Sequence, residues 1–368
     1  MDASSELVHS ILPLYLTVSL GASMMTIGLI EGVAEALAQI VKVFSGGLSD
    51  YFGKRKALAI LGYGLAALSK PIFPLADSVG WVFGARLLDR FGKGIRGAPR
   101  DALIADVTPP ALRGAAYGLR QALDSVGAFI GPLLAIALLA LFARDFKVVL
   151  WFATVPAVIA VLVLWTAVEE PVQSTPRVAQ RLIWRDVQYL ARPYWRVVLL
   201  GAVFTLARFS EAFLVLRGQQ AGLGAAFAPA ILVALSVTYA VSAYPAGRAA
   251  DHYPARVLLV PGLLVLVAAD LLFAFANGPL LVLSGAALWG LHLGLTQGLL
   301  SKLVVDTAPP RLVGTAFGIF NLASGLALFV ASALAGWMWD AYGPAATFEV
   351  GALCAAISAA GLIVVRLK

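Results

Sequence analysis

The chain has 368 residues, of which 61% are hydrophobic and only 13% are charged, and its mean hydropathy is +0.89. A soluble domain carries about a quarter charged residues, so this composition excludes a soluble globular protein and is typical of a helical protein with several membrane spans. The net charge of +7 agrees with basic loops on one side of a membrane and requires no nucleic-acid partner. The single cysteine, Cys354, excludes an intrachain disulfide and a cysteine-based metal site.

Apolar segments predict twelve membrane-spanning helices. The first, from Leu7 to Leu20, has 14 residues, which is about 21 Å of helix against a hydrocarbon core of about 30 Å. Either this helix extends back through Asp2 and Glu6, or part of the first span is missing from the sequence. The other spans are predicted at 25–46, 57–76, 79–105, 112–142, 147–168, 195–217, 226–249, 256–275, 279–305, 311–338 and 345–366.

A polar segment that contains prolines, at 169–193, is predicted to link an N-terminal six-helix bundle at 1–168 to a C-terminal one at 194–368. Loops on the side of this linker, with the C-terminus, carry thirteen lysines and arginines, and loops on the other side carry chiefly three. By the positive-inside rule, the linker and both termini are predicted to be cytoplasmic in a multi-pass inner-membrane protein.

Two sequence blocks recur in the two halves. Residues 46–55, GGLSDYFGKR, match GRAADHYPAR at 247–256 with an offset of 201. Residues 106–118, DVTPPALRGAAYG, match DTAPPRLVGTAFG at 306–318 with an offset of 200. Two independent blocks at nearly one offset indicate an internal duplication, as in many secondary transporters.

The segment GGLSDYFGKRK resembles the loop 2–3 signature of the major facilitator superfamily, G-x-L-x-D-R-x-G-R-R. Lys54 and Arg55 stand at its basic positions, and Tyr51 stands where the family usually has a basic residue. The degenerate copy at 247–256 falls in loop 8–9, where the family has its second copy. The resemblance implies a latch between the halves that forms and breaks during transport. The latch residues it implies are Gly46, Asp50, Gly53, Arg55, Arg113, Asp251 and Arg256.

Two further motifs resemble this family. Arg86 resembles the membrane arginine of its fourth-helix motif, although Arg90 replaces a small residue there. The segment GAFIGP, with Gly127, Gly131 and Pro132, resembles the fifth-helix motif G-x-x-x-G-P of antiporters. This motif favours export, and the alternative is a packing kink without bearing on direction.

The segment GKGIRG at 92–97 fits the dinucleotide fingerprint G-x-G-x-x-G, but that motif has meaning only between a strand and a helix of a βαβ unit. The chain must cross the membrane between 77 and 112, because the third span ends outside and the fifth begins in the cytoplasm. The charged stretch is therefore predicted to be the fourth membrane helix.

The charges of the fourth span are ordered. At 100° per residue, six of them fall within about 120° of one helix face. Each ionised residue at mid-bilayer costs about 2.5–3.5 kcal/mol, so this face must point to the bundle interior or a water-filled cavity. The six are Arg86, Asp89, Arg90, Lys93, Arg96 and Arg100. Small residues and a proline among them are expected to loosen the helix: Gly92, Gly94, Gly97 and Pro99.

The predicted site joins both halves. Basic groups outnumber acidic ones at these membrane positions, so the substrate is expected to be wholly or partly anionic. The alternative is a closed network of ion pairs that only holds the N-terminal half together. Glu31, Glu35 and Asp124 are candidate proton carriers, and His292 is expected to make an interhelical hydrogen bond. The predicted cavity residues are Arg86, Asp89, Arg90, Lys93, Arg96, Arg208 and Glu211.

These features predict an all-α membrane protein with two pseudo-symmetric six-helix bundles. It is interpreted as a monomeric secondary transporter that works by alternating access and exports a small organic molecule in exchange for protons. The alternatives are a non-transporting membrane sensor or scaffold, and an importer of an organic anion. No Ser/His/Asp set or metal-ligand cluster is visible, so neither an enzyme nor a cofactor or metal site is expected. The expected partners are the substrate, protons and lipid.

Overall fold

The structure, a computed structural model, describes residues 1–52, 54–109, 112–170, 184–309 and 312–364. Within these ranges the regular elements are helices, and no β-strand occurs. The helices before the linker are α1 (Asp2–Leu14), α2 (Met24–Phe52), α3 (Arg55–Leu75), α4 (Val79–Val107), α5 (Arg113–Leu141), α6 (Phe146–Phe152) and α7 (Thr154–Ala167).

Helix bounds after the linker repeat those before it. Helices α4 and α13 each have 29 residues and are offset by 200, in agreement with an internal duplication. The helices of this half are α8 (Arg192–Leu206), α9 (Ala212–Gly218), α10 (Gly224–Phe227), α11 (Ala230–His252), α12 (Ala255–Ala274), α13 (Pro279–Thr307), α14 (Val313–Tyr342) and α15 (Pro344–Val364).

Nine helical segments of the described residues are long and apolar enough to cross a membrane, and each coincides with a predicted span. One of them, Phe146–Ala167, consists of α6 and α7 together. The prediction of an all-helical membrane protein is therefore confirmed. The first, fourth and seventh predicted spans are also helical but do not meet that criterion. Helix α1 is short, α4 carries the charged stretch, and the seventh span is broken into α8 and α9 at 207–211.

The first helix does extend back to Asp2, and a π-helical turn, Tyr15–Ser19, continues it. Its polar N-terminal residues lie inside the bundle and not in lipid. The Ser4 hydroxyl donates to the Ala153 carbonyl at 2.6 Å, and the Tyr15 hydroxyl donates to the Ala76 carbonyl at 2.7 Å. The polar start of the first span is therefore satisfied by protein partners.

The glycines of α4 do not loosen it, contrary to the sequence-based expectation. The helix is continuous from Val79 to Val107 and includes Pro99. A Cβ atom on Gly92 would lie 2.6 Å from the Gly62 carbonyl oxygen of α3, and one on Gly94 would lie 2.8 Å from the Ala38 carbonyl oxygen of α2. These glycines therefore let α4 pack closely against both neighbours.

Helix α2 of the first half packs along α14 of the second. A Cβ atom on Gly32 would lie 3.0 Å from the Phe329 Cα. At the start of α2, the amides of Met24 and Met25 donate to the two carboxylate oxygens of Asp340 at 3.0 and 2.8 Å. A carboxylate of one half thus caps a helix N-terminus of the other, where the helix dipole favours negative charge.

The linker side of the protein holds the C-terminal ends of α2 and α4 and the start of α3. The Glu170 carboxylate accepts from the backbone amides of Arg55 and Lys56 at 2.7 and 2.9 Å. The buried Arg55 guanidinium donates to the Ala102 carbonyl and pairs with Asp106. Its role in a latch stays a prediction. Gly53 lies outside the described residues, as do the side chains at the other predicted latch positions, Gly46, Asp50, Arg113, Asp251 and Arg256.

The fifth-helix motif lies against α1. A Cβ atom on Gly127 would lie 2.9 Å from the Asp2 Cβ, and one on Gly131 would lie 2.6 Å from the Glu6 Cβ and 2.7 Å from the Leu7 amide nitrogen. Pro132 lies inside α5, which remains one continuous helix. The two glycines therefore allow the backbones of α1 and α5 to approach closely.

We expect Gly131→Ala to destabilise the protein by about 1–3 kcal/mol, because the added methyl group overlaps α1. Gly118→Ala is the matched control, since Gly118 lies in the same helix with no atom within 4 Å of an added Cβ. Alanine favours a helix by up to about 1 kcal/mol over glycine, so the control is expected to be neutral or stabilising. Apparent melting temperatures in detergent would measure both, and equal shifts would contradict the packing argument.

Candidate functional site

A cavity of about 700 Å³ lies between the two halves, within the range of about 300–1,000 Å³ that is typical of small-molecule sites. Its walls come from α1, α2, α4 and α5 on one side and from the α8–α9 break, α13 and α14 on the other. On α2 the lining side chains run from Glu31 to Lys42, and on α13 from Trp289 to Ser301. The cavity therefore extends from the middle of the bundle toward the linker side, away from the contact with Asp340.

A buried ion-pair network forms the wall behind the cavity in the first half. Arg86 donates to Glu31 of α2 at 2.6 Å, and Lys70 of α3 donates to Asp89 at 2.7 Å. Asp89 also lies 3.5 Å from the Arg90 guanidinium. Arg86 and Asp89 are 0% and 2% exposed and do not line the cavity. Buried charges of this kind are tolerated because each has a partner of opposite charge.

Arg90 lines the cavity but is engaged, since its guanidinium lies 2.8 Å from the Glu35 carboxylate. Arg96 does not line it. Its guanidinium lies 3.4 Å from the Asp2 carboxylate and 4.6 Å from the centre of the Tyr63 ring, a cation–π distance. For these two arginines, the structure matches the ion-pair alternative.

Asp124 also lies outside the cavity lining. Its carboxylate is 3.6 Å from Arg100 and 3.4 Å from Arg120, and Arg120 also reaches Asp101 at 3.2 Å. Asp124 therefore belongs to a partly exposed cluster between α4 and α5, on the linker side of Arg96.

Three cations face the cavity without a carboxylate within 4.0 Å among the residues that the structure describes. Lys42 of α2 and Lys93 of α4 are exposed to the cavity from the first half, and Arg208 of the α8–α9 break faces it from the second. The Arg208 guanidinium lies 5.6 Å from the centre of the Phe204 ring. These cations leave the cavity with positive charge on both walls.

His9 is a cavity residue that the sequence analysis missed. Its Nδ1 atom accepts from Arg86 at 2.9 Å, and its Nε2 atom lies 3.8 Å from the Glu211 carboxylate of the other half. Because a guanidinium only donates, Nδ1 is the acceptor in this contact, which places an imidazole proton on Nε2, toward Glu211. The available signal was an ionisable residue within an apolar helix, which marks a functional position in a membrane span. The short length predicted for the first span left the position of His9 in the membrane open.

The wall of the second half is aromatic and polar. Phe209 lies 5.4 Å from Trp289 between ring centres, and Phe320 joins them in the lining. His292 lies behind this wall, where its Nδ1 is 2.7 Å from the Gly262 carbonyl oxygen of α12, the interhelical contact expected from the sequence. The polar lining residues of this half are Thr205, Ser210, Gln297, Ser301, Asn321, Ser324 and Ser332.

Within the described ranges, no group of three or more His, Cys, Asp or Glu side chains is placed to hold a metal ion. The chemistry of the cavity is instead ionic and aromatic. It combines cations that have no carboxylate within 4.0 Å among the described residues, a histidine between two carboxylates, and aromatic rings with hydroxyl and amide groups. Such a lining is typical of a site for a small organic molecule.

Known proteins resemble the chain over its length. Residues 2–327 and 213–368 match the model of the Major Facilitator Superfamily. The chain is 31% identical over 366 residues to the uncharacterized MFS-type transporter MJ1317 of Methanocaldococcus jannaschii, covering 97% of this chain and 90% of that protein. It is 26% identical over 343 residues to the multidrug resistance protein MdtH of Photorhabdus laumondii subsp. laumondii, covering 90% and 82%.

The fold also matches solved transporter structures. A mutant of the nucleoside transporter NupG superposes with a TM-score of 0.82 at 13% identity, covering 98% of this chain and 96% of that chain. At this identity the likeness shows the fold alone. Together with the family match, it identifies a multi-pass membrane transporter and not an enzyme. The chain belongs to the major facilitator superfamily.

Proposed function

We propose that the protein is an inner-membrane antiporter that exports a small organic anion in exchange for protons by alternating access. In this proposal, residues 1–168 and 194–368 are the two moving bundles, and the linker and both termini are cytoplasmic. The observation that carries the proposal is a set of three cavity cations that have no carboxylate within 4.0 Å in the part of the chain that the structure describes, Lys42, Lys93 and Arg208.

The charged residues of the cavity lining that are not in ion pairs favour binding of an anion. Glu31 is held by Arg86 and Glu35 by Arg90. Three cations then face two remaining carboxylates, Glu6 and Glu211. An uncompensated cation at membrane depth is costly, and an anionic ligand relieves that cost.

The second wall supports an organic substrate with an apolar body. Phe209, Trp289 and Phe320 supply aromatic surface opposite the lysines of the first half. A ligand with a negative group and an aromatic ring would therefore contact both bundles at once. Contact with both bundles is what allows a ligand to bias an equilibrium between two arrangements of them.

Three observations support export. The fifth helix carries the G-x-x-x-G-P motif that resembles that of antiporters. The chain also has 26% identity to MdtH, a protein named for multidrug resistance. The cavity extends toward the linker side, which is the predicted cytoplasmic side and the side from which an exporter collects its substrate.

His9 is our proposed site for the exchanged proton within the cavity. A proton that binds Nδ1 displaces the Arg86 hydrogen bond and creates an imidazolium between Glu31 and Glu211. Because these carboxylates belong to opposite halves, protonation increases the attraction between the halves. Glu31 and Glu35 are less suited to this role, since each lies against a guanidinium that stabilises the ionised carboxylate. Asp124 is less suited because it lies outside the cavity lining.

The defining experiment measures flux in proteoliposomes with an imposed pH gradient, using aromatic sulfonates, organic cations and neutral drugs as probes. We expect sulfonates to accumulate in vesicles that are acidic inside, because an antiporter moves the anion against the outgoing proton. Sulfonates stay ionised, so passive weak-acid partitioning does not contribute. Accumulation in vesicles alkaline inside would instead indicate an anion importer. No gradient-dependent flux of any probe would favour the sensor or scaffold.

We expect Lys93→Gln to weaken binding of the transported sulfonate about tenfold or more, because a charge-assisted hydrogen bond contributes about 1.5–3 kcal/mol. Lys147→Gln is the matched control. Lys147 lies at the start of α6, outside the cavity, and pairs with Asp77 of the exposed loop between α3 and α4. Equal affinity for Lys93→Gln and the unmodified protein would reject the anion site.

We expect His9→Gln to retain exchange of labelled for unlabelled sulfonate but to lose accumulation driven by a pH gradient. Its exchange rate should also lose the dependence over about pH 5 to 8 that a titrating histidine confers. His252→Gln is the control, because His252 is exposed at the end of α11 and bonds only the Arg248 carbonyl. Gradient-driven accumulation by His9→Gln at the normal rate would exclude His9 as the coupling group.

A further inference from the structure

Asp270 of α12 is a buried carboxylate that takes no part in the mechanism proposed for the cavity. Its side chain is 0% exposed, and neither carboxylate oxygen has a hydrogen-bond partner among the described residues. Every other fully or nearly fully buried carboxylate of the described residues, Glu31 and Asp89, has an ion-pair partner. An isolated carboxylate in such an environment is stable only in its neutral form.

The internal repeat explains why Asp270 lacks a partner. At the offset of 200 residues, Asp270 corresponds to Lys70, and Trp289 corresponds to Asp89. In the first half these two positions form the buried pair at 2.7 Å. In the second half a tryptophan replaces the counter-charge, so no described side chain neutralises the Asp270 carboxylate.

The contacts that the structure describes near Asp270 are a glycine and a cluster of aromatic rings. A Cβ atom on Gly351 of α15 would lie 2.8 Å from the Asp270 Oδ2 and 3.0 Å from the Phe209 ring. Phe209 packs on Phe348 at 5.4 Å, and Phe348 stacks on Phe273 at 5.0 Å. These aromatic neighbours offer no oxygen ligands of the kind that a metal cation requires.

The titratable groups near Asp270 are few. The thiol of Cys354 on α15 interacts electrostatically with the Asp270 carboxylate. On α13, His292 forms a hydrogen bond with the Gly262 carbonyl of α12. Gly262 precedes Asp270 by eight residues, which is about 12 Å along the helix at 1.5 Å per residue. Arg217 of α9 bonds the Phe273 carbonyl and two further carbonyls at the end of α12. Neither His292 nor Arg217 lies within 4.0 Å of the Asp270 carboxylate.

The Phe209 ring lies near both the cavity and Asp270. It lines the cavity, and a Cβ atom on Gly351 would contact both this ring and the Asp270 carboxylate. It belongs to the non-helical break between α8 and α9, next to the cavity cation Arg208. The amide of Ser210 in the same break donates to the Ser332 hydroxyl of α14 at 3.1 Å. A displacement of this break by a ligand at Arg208 would therefore also move the ring near Asp270.

We propose that Asp270 is a second proton-binding site of the transport cycle, closed off from the cavity by the Phe209 ring. Cavity water reaches the carboxylate each time the α8–α9 break moves. Asp270 takes up a proton while the cavity is open away from the linker side and releases it while the cavity is open toward the linker side, so one proton crosses per cycle. The cycle then carries one proton at His9 and one at Asp270. This inference rests on the proposed proton-driven antiport.

Infrared spectroscopy of the unmodified protein in lipid bilayers tests the site without any substrate. We expect a carbonyl-stretch band of a protonated carboxyl at neutral pH that shifts slowly in D₂O. Asp270→Asn, an isostere of the neutral acid, should lack this band, and Asp340→Asn, at an exposed carboxylate, should keep it. Phe209→Ala should speed the D₂O shift about tenfold or more, because local opening becomes easier.

A band that persists in Asp270→Asn would overturn the proposal, as would a D₂O shift in Phe209→Ala at the unmodified rate. The infrared result is independent of flux, so it remains decisive if no probe is transported and the proposed function fails.

Where a sulfonate is transported, the reversal potential of its flux counts the protons per anion. We expect two protons for the unmodified protein and one for Asp270→Asn, with Asp270→Glu restoring two. A carboxyl that is merely structural would stay protonated throughout the cycle. In that case Asp270→Asn would leave the proton count unchanged, which would contradict the proposal.

Discussion

The structure depends on one constraint, that a charge buried at membrane depth must be neutralised by a partner. Arg86 with Glu31 and Lys70 with Asp89 satisfy it in the first half, where they join α2, α3 and α4 into one unit. Because these groups neutralise one another, they support the cavity wall from behind and are not available to a ligand. The cations that remain, Lys42 and Lys93, define the positive face of the site.

The two halves share a fold but divide the chemistry between them. The first half supplies ionic groups, and the second supplies Phe209, Trp289, Phe320 and a set of hydroxyl and amide side chains. Among the described residues of the second half, only the cation Arg208 and the carboxylate Glu211, both at the α8–α9 break, bring charge into the lining. A ligand that is anionic at one end and apolar at the other matches this division.

Most of the helical architecture followed from the hydropathy pattern, since nine predicted spans coincide with helices that can cross a membrane. The charged stretch was placed correctly on a helix, because the direction of the neighbouring spans required a crossing between 77 and 112. The effect of its glycines was not predicted correctly. A glycine in a sequence permits either a looser helix or a closer contact, and the position of Gly62 and Ala38 decides for contact.

The sequence by itself determined the fold class, the repeat and the face of α4 that carries charge, because periodicity and hydropathy are local properties of a helix. Only the tertiary structure decided which of those charges are paired, since Arg90 meets Glu35 while Lys93 meets open cavity. It also placed His9 between Glu31 and Glu211, and it left Asp270 without the counter-charge that its counterpart Lys70 has. Ion pairing depends on distances between helices far apart in the chain, and no spacing along one helix encodes them.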